Sequence, residues 1–329
     1  MDIDHRITEI RTQLLSRHEL LDGGMNDRRL RAELRGGSLI RIAHGYFMLR
    51  GHWEHLRPEA QLLARTLAVA RRHSGKTVIF CLFSAAAIWG LPLYGYRAGK
   101  VHVLTSTDSP GRSTAGVVRH PLDWEEDEIR EVCGLLVTDP ARTLTDLARR
   151  ASVELAIGCA DAAARCMLGV GRDASSALIE EWRAAQLDRL APLRGLPGIA
   201  RARRVVAFTD PRADSVAESV SRLQLARLRV EHDIQIRVPK LGRGTYWVDF
   251  DFTGQRTLGE VDGLAKYTDP ELLGGQSAQD AVLAEKKRED EIRGITRKSF
   301  VRWTSHHIGS PQQLGHRLRA FGITVPGMR

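Results

Sequence analysis

The chain has no long apolar run. No segment reaches the roughly 18–20 consecutive apolar residues that a membrane span needs. Met1 to Glu19 is charged throughout and lacks the apolar core of a signal peptide. The expectation is a cytoplasmic protein with no membrane partner. Cysteine is scarce: four residues, Cys81, Cys133, Cys159 and Cys166, lie far apart and form no C-x-x-C pair. That spacing argues against metal or redox roles and for buried, reduced, structural thiols. Acidic residues are in deficit, 40 Asp and Glu against 49 Lys and Arg, which leaves a net charge of +9. A basic excess suits a polyanionic partner, because cations on one face release counterions from a phosphate backbone. A compositional preference for arginine produces the same excess with no partner, so charge alone decides nothing.

The 329 residues suffice for two or three domains. At the start, Ile7, Ile10, Leu14 and Leu15 stand at helical spacing and predict a helix over 1–21, broken by Asp22-Gly23-Gly24. Asn26 caps a second helix running to Arg35. After Gly36-Gly37, two short apolar strands flank a tight turn at His44-Gly45. Helix, helix and β-wing is the order of a small winged helix. Arg28, Arg29, Arg31, Arg35 and Arg41 decorate it, with Arg50 close behind, so the second helix and the wing are candidates to sit on DNA. The competing reading is a helix-hairpin cap that only packs on the next domain.

Between 58 and 200 no recognisable catalytic set is present. Pro58 starts a helix to about His73; strands follow at 101–104, 116–120 and 135–138, then helices over 143–150, 153–168 and 176–207. His102 and His120 fall on neighbouring predicted strands, where a metal pair competes with ordinary strand histidines. The acidic stretch Asp123 to Glu131 reads as a solvated face.

From Ser215 the pattern sharpens. Ser215-Val216-Ala217-Glu218 matches a capping box ahead of a helix with Val220, Leu223, Leu225 and Leu228 inward. Glu218 reads either as that cap or as a carboxylate aimed at a metal. Ile234 to Val238 alternates as a strand; Pro239 to Gly244 is a turn with Lys240 and Arg243. Two apolar runs follow, Tyr246 to Phe252 and Thr257 to Gly263, separated by a turn at Thr253-Gly254-Gln255. Both spend carboxylates, which are almost never buried unpaired. Glu260 and Asp262 flank Val261 and point to one face of a regular strand; Asp249 ends the neighbouring strand-like segment. Asp249, Glu260 and Glu218 are candidate ligands for a hard divalent cation, Mg²⁺ or Mn²⁺, with Asp262 and Lys266 completing a candidate catalytic set for phosphodiester hydrolysis. A strongly charged helix over 285–293 reads as a solvated face, or as one that touches phosphates through Lys286, Arg288 or Arg293. A short strand over 299–304 and a closing helix from Pro311 complete an α-β-β-β-α-β-α order.

The segments around Glu218 and Arg222, Trp247-Val248-Asp249-Phe250, Gly259-Glu260-Val261-Asp262-Gly263 through Lys266-Tyr267, Lys287-Arg288-Glu289-Asp290 and Val301-Arg302-Trp303-Thr304 resemble the PD-(D/E)xK nuclease superfamily. More narrowly, they resemble a domain related to the very-short-patch-repair endonuclease. The likeness covers about residues 205–325 and implies a restriction-endonuclease-like core with a divalent metal, Glu218 as helix carboxylate, and Asp249 and Glu260 as strand ligands. One position departs: Asp262 stands where the superfamily usually has lysine, two residues after the second strand acid. Over residues 5–170, Leu34-Arg35-Gly36-Gly37-Ser38, His44-Gly45-Tyr46-Phe47, Gly90-Leu91-Pro92 and the segment from Val137-Thr138-Asp139-Pro140 to Ala148 resemble the abortive-infection antitoxin family AbiEi. That family pairs a winged helix with a larger domain and represses toxin–antitoxin operons.

The expected architecture is a multidomain α+β or α/β chain: a winged helix over 1–55, a mixed α/β middle domain over 56–200, and a restriction-endonuclease-like α/β core over 201–329. Its expected work is metal-dependent DNA cleavage in phage defence or toxin–antitoxin biology. The alternative is a non-enzymatic DNA-binding regulator with an inactive nuclease fold, whose partners are an operon operator and a cognate toxin. A third reading is a partner-binding module in phage defence.

Overall fold

A computed structural model describes residues 3–75, 77–97, 99–108, 111–262 and 278–328. The chain divides into two compact units. The first is Met1–Cys159 with Gln186–Ala207; the second is Ala160–Ala185 with Phe208–Arg329. Each mixes helices with sheet, so the chain is a multidomain α+β protein. No helix among the described residues is long and apolar enough to cross a membrane.

The first unit opens with α1 (Ile3–Gln13), β1 (Leu15–Ser16), α2 (Arg17–Asp22), α3 (Asp27–Gly36), β2 (Leu39–Ala43) and β3 (Tyr46–Leu49). The three strands form one antiparallel sheet in the order β1-β3-β2. The single helix expected over 1–21 is two. Ser16 interrupts it: its hydroxyl accepts from Glu19 N at 3.1 Å, while Glu19 Oε2 accepts from Ser16 N at 2.6 Å. That capping box starts a new helix, and Leu15 and Ser16 pair instead with Phe47 and Tyr46. Asn26 caps α3 as expected, accepting from Arg29 N at 2.9 Å; Gly37, at φ 79°, ends it in the left-handed region that glycine enters without cost. Leu30, Leu39 and Phe47 form the small core beneath α3.

The chain continues through α4 (Arg50–His55), α5 (Pro58–Arg72), β4 (Ile79–Phe80), α6 (Leu82–Trp89), β5 (Val101–Thr105), β6 (Val117–Pro121), β7 (Ile129–Val132), β8 (Leu135–Thr138) and α7 (Pro140–Arg150). The five strands make a mixed sheet ordered β6-β5-β4-β8-β7. Cys81 and Cys159 are buried here; Cys133 is half-buried. Of the expected buried thiols, Cys166 is the correction: it is exposed. The acidic stretch is less solvated than expected, because Glu128 pairs with Arg142, which also holds the fully buried Asp146 at 3.1 Å. Helices α8 (Val153–Leu168), α9 (Ser176–Arg189) and α10 (Ile199–Phe208) follow.

The second unit is built on α11 (Val216–Arg227), β9 (His232–Pro239), β10 (Thr245–Phe252), β11 (Thr257–Asp262), α12 (Ala278–Thr296), β12 (Ser299–Thr304) and α13 (Pro311–Ala320). The sheet order is β12-β11-β10-β9; β12 runs parallel to β11 and the other pairs are antiparallel. Leu258 and Phe300 pack with Ile292 of α12 on one face. Trp303 packs on the other beside Phe250 and Phe252 and donates its indole N–H to Ser221 of α11 at 2.9 Å. Gly259 is required between them, since a Cβ there would lie 2.7 Å from the Trp303 ring.

Candidate functional site

Of the carboxylates singled out in the sequence, Asp249, Glu260 and Asp262 lie on the second unit's sheet and Glu218 on α11. β10 does not alternate regularly. Val248 packs with Leu258, Ile292 and Phe300, whereas Phe250, two residues on, lies against Trp303 on the opposite face. On a regular strand such residues share a face. The reversal falls at Asp249, and the residue facing it on β9 is Gln235: Val248 pairs with Ile236 and Phe250 with Ile234. Gln235 adopts φ 53°, a left-handed conformation that costs a non-glycine residue about 1–3 kcal/mol. The irregularity turns Asp249 out of the apolar pattern. Its Oδ2 accepts from Val261 N at 3.0 Å, just beyond the Phe250–Gly259 pair of the ladder.

Glu260 is buried, and both its oxygens are engaged by arginine. Arg288 Nη2 meets Oε1 at 2.7 Å and Arg302 Nη2 meets Oε2 at 2.9 Å. Arg302 is the hub of a larger network, reaching Asp262 at 3.3 Å, Glu285 at 2.5 Å and Glu289 at 3.2 Å. Arg288 also binds Glu285 at 2.9 Å and the Trp247 carbonyl at 2.6 Å. Burial acts to lower the Arg302 pKa, but the bond to Glu285 and the charges of Glu260, Asp262 and Glu285 outweigh it, so the guanidinium is held above its ordinary value. Each of the four carboxylates has a guanidinium partner, although two guanidiniums against four carboxylates leave the cluster acidic.

Glu218 resolves as a structural acceptor. Ser215 caps α11, accepting from Glu218 N at 3.2 Å. The Glu218 side chain reaches one residue past the cap: Oε2 accepts from Asp214 N at 2.8 Å and from Gln235 Nε2 at 2.7 Å, and Oε1 accepts from the Ser215 hydroxyl at 2.9 Å. Burial raises its pKa, and these three bonds pull the other way. The sheet that follows thus uses Glu218 to hold the irregular Gln235 in place.

The donor chemistry of Asp249, Glu260 and Asp262 is that of a hard-cation site, but the arrangement is not. Among the described residues, no group of three or more His, Cys, Asp or Glu stands close enough to hold a metal ion. Glu260 would have to release two arginines, and Glu218 three hydrogen bonds, before either could ligate Mg²⁺ or Mn²⁺. Lys266 lies outside the described residues. Sequence reading missed Arg302 and Gln235 as determinants. The first had a signal, an arginine between the apolar residues Val301 and Trp303 of a strand. The second had none, because a backbone angle leaves no mark on residue type. Arg288, expected on a solvated or phosphate-binding face, is instead held by Glu260.

In the first unit the predicted basic set is on the surface. Arg28, Arg29, Arg31 and Arg35 of α3 and Arg41 of β2 are all exposed. Arg31 and Arg41 line a recess of about 390 Å³ with Arg17, His44 and the apolar floor of Leu30, Leu34 and Phe47. Asp27, its one acidic wall, is already paired with Arg17 at 2.7 Å. His102 and His120 meet on adjacent strands, Nδ1 to Nε2 at 2.9 Å, and both are pushed down to about 4, chiefly by burial. They form a neutral hydrogen-bonded pair.

No family model matches the chain. Two proteins of Mycobacterium tuberculosis are similar to it, uncharacterized protein MT2308 and uncharacterized protein Rv2248. Each is 28% identical over 254 residues, spanning 75% of this chain and 82% of the relative. The likeness runs through most of both chains and brings no activity with it.

Proposed function

We propose that the chain is a DNA-binding protein, of the transcriptional-regulator or antitoxin kind, that engages duplex through α3 and the β2–β3 turn without a divalent metal. The observation that carries this reading is the basic recess between those elements, where Arg31, Arg41 and His44 face outward with their one acidic neighbour already neutralised. The winged-helix order and the AbiEi-like motifs support it, with an operator upstream of the protein's own gene as the expected target. The restriction-endonuclease-like core then serves as a scaffold whose Glu260 is occupied by Arg288 and Arg302. The test is a mobility-shift titration with that upstream fragment in EDTA. Arg31→Gln/Arg41→Gln should bind roughly tenfold more weakly, with a log–log salt dependence shallower by about 1.8, since each lost phosphate contact removes about 0.9. Equal affinity of wild type and variant, or equal affinity for every sequence, sinks the reading.

A second reading, a Mg²⁺- or Mn²⁺-dependent endonuclease, is favoured by one observation: Asp249, Glu260 and Asp262 collect on two adjacent strands, Asp249 touching the backbone between the other two. It requires both arginines to leave Glu260. Incubating supercoiled and linear DNA with either metal decides it; cleavage lost in Asp249→Ala and Glu260→Ala would establish this reading over the first.

A further inference from the structure

The hairpin joining β9 to β10 carries Leu241, which is 83% exposed; no other large hydrophobic among the described residues exceeds 52%. A single exposed leucine is ordinary, but the setting of this one is not. Its backbone is fixed. Leu241 N donates to Glu291 Oε1 at 2.7 Å, and the other Glu291 oxygen accepts from the Tyr246 hydroxyl at 2.8 Å, which ties the tip to α12. Lys240 N closes the turn on Gly244 O at 3.2 Å. The segment from Arg237 to Val248 contains three cations, Arg237, Lys240 and Arg243, all exposed, and no acid. Two of them lie over aromatic rings: Lys240 Nζ sits 4.6 Å from the centre of Tyr246, and the Arg237 guanidinium 5.6 Å from that of Trp247. Gly242 has open space where a Cβ would stand, so another backbone can approach the tip closely.

We propose that the Lys240–Gly244 tip is a second nucleic-acid contact, in which Leu241 wedges into a groove of duplex DNA against a base step while Lys240, Arg243 and Arg237 meet the flanking phosphates. The inference rests on the DNA-binding reading above and extends it to the second unit. Apolar wedges flanked by cations unstack a step and recover the cost through phosphate contacts. A tip fixed beforehand loses little entropy on binding. The local charge, three exposed cations beside a Glu291 carboxylate whose two oxygens are both spent on hydrogen bonds to the hairpin, favours a polyanion over a protein surface.

The experiment titrates the full chain into a duplex carrying 2-aminopurine at internal positions, whose fluorescence rises when its stack opens. Wild type should raise it at least about twofold. Leu241→Ala should bind within about threefold of wild type and abolish the rise. Lys240→Gln/Arg243→Gln should bind roughly tenfold more weakly, with a salt slope shallower by about 1.8. Circular dichroism melts confirm that these surface variants fold. Duplex binding by wild type with no fluorescence rise, or a rise and affinity that the variants leave untouched, overturns the hairpin contact alone. The α3 reading is judged separately on Arg31→Gln/Arg41→Gln. Wild type that binds no duplex overturns both, and cosedimentation with anionic phosphatidylglycerol vesicles in preference to duplex overturns the nucleic-acid assignment of the tip.

Discussion

Replacing Arg302 by glutamine tests the view that the acidic cluster around Glu260 is held together by arginine. Removing one member of a buried ion pair costs about 3–5 kcal/mol, because the other charge is left desolvated and unpaired. Two features reduce that figure here. Arg288 stays on Glu260, and the remaining partners retain side-chain exposures of 21–30%, so water recovers part of their charge. The expected loss is about 2–3 kcal/mol, which for a unit of this size lowers the melting temperature by roughly 5–10 °C. The effect must depend on pH. Burial acts to raise the Glu285 pKa, but the Arg302 hydrogen bond and the charges of Arg288 and Arg302 outweigh it and hold the carboxyl below its ordinary value. A carboxyl whose folded pKa is depressed adds stability above its unfolded pKa of about 4.3, and that stability is lost as pH falls through the folded value. The gap between wild type and Arg302→Gln should therefore be wide at pH 7.5, begin to narrow near the unfolded pKa of about 4.3 and close as pH falls through the lower folded value. Thermal and urea unfolding over a pH series from 7.5 into acid measure it. A variant melting within about 1 °C of wild type at pH 7.5, or a gap that does not narrow as pH falls below about 4.3, refutes the reasoning.

Arg222→Met should destabilise the second unit by about 3–5 kcal/mol in urea unfolding, because it strips the 2.8 Å partner from the fully buried Asp161. Gly259→Ala should cost about 1–3 kcal/mol by overpacking, read as a lowered melting temperature and an altered near-ultraviolet signal from Trp303. His102 and His120 are bases whose folded pKa is depressed to about 4, so their contribution is fully present above about pH 6.5 and is lost as pH falls through about 4. Imidazole proton signals of both should stay flat from pH 8 to 5, and His102→Phe should reduce the acid sensitivity of the first unit's unfolding.

Much of the fold was legible in local pattern. Asn26 and Ser215 announced their helices because a short polar side chain competes for the first free N–H groups wherever it stands. Pro58 marked a helix start, and the alternation at 234–238 marked β9, for equally local reasons. The break at Ser16 was also written locally, in Ser16-Arg17-His18-Glu19, but the apolar spacing on either side concealed it. Exposure of Arg28, Arg29, Arg31, Arg35 and Arg41 followed from residue type, since a charged side chain stays in water unless something pays for its burial.

The carboxylate site divides differently. Sequence by itself determined that Asp249, Glu260 and Asp262 occupy neighbouring strands and that so many acids in apolar runs need compensating charge. It could not say which charge. That depended on β12 lying parallel beside β11, which sets Arg302 directly against Glu260, and on α12 crossing the same face, which brings Arg288 to the same carboxylate. Residues 28 and 42 positions downstream meet Glu260 only through strand order and helix docking, and no local spacing encodes either. The backbone reversal at Gln235 and Asp249 is of the same kind: a left-handed glutamine is tolerated because Glu218, from another element, holds its amide. Local propensity set the elements and the need for cations; long-range packing chose arginine to meet it.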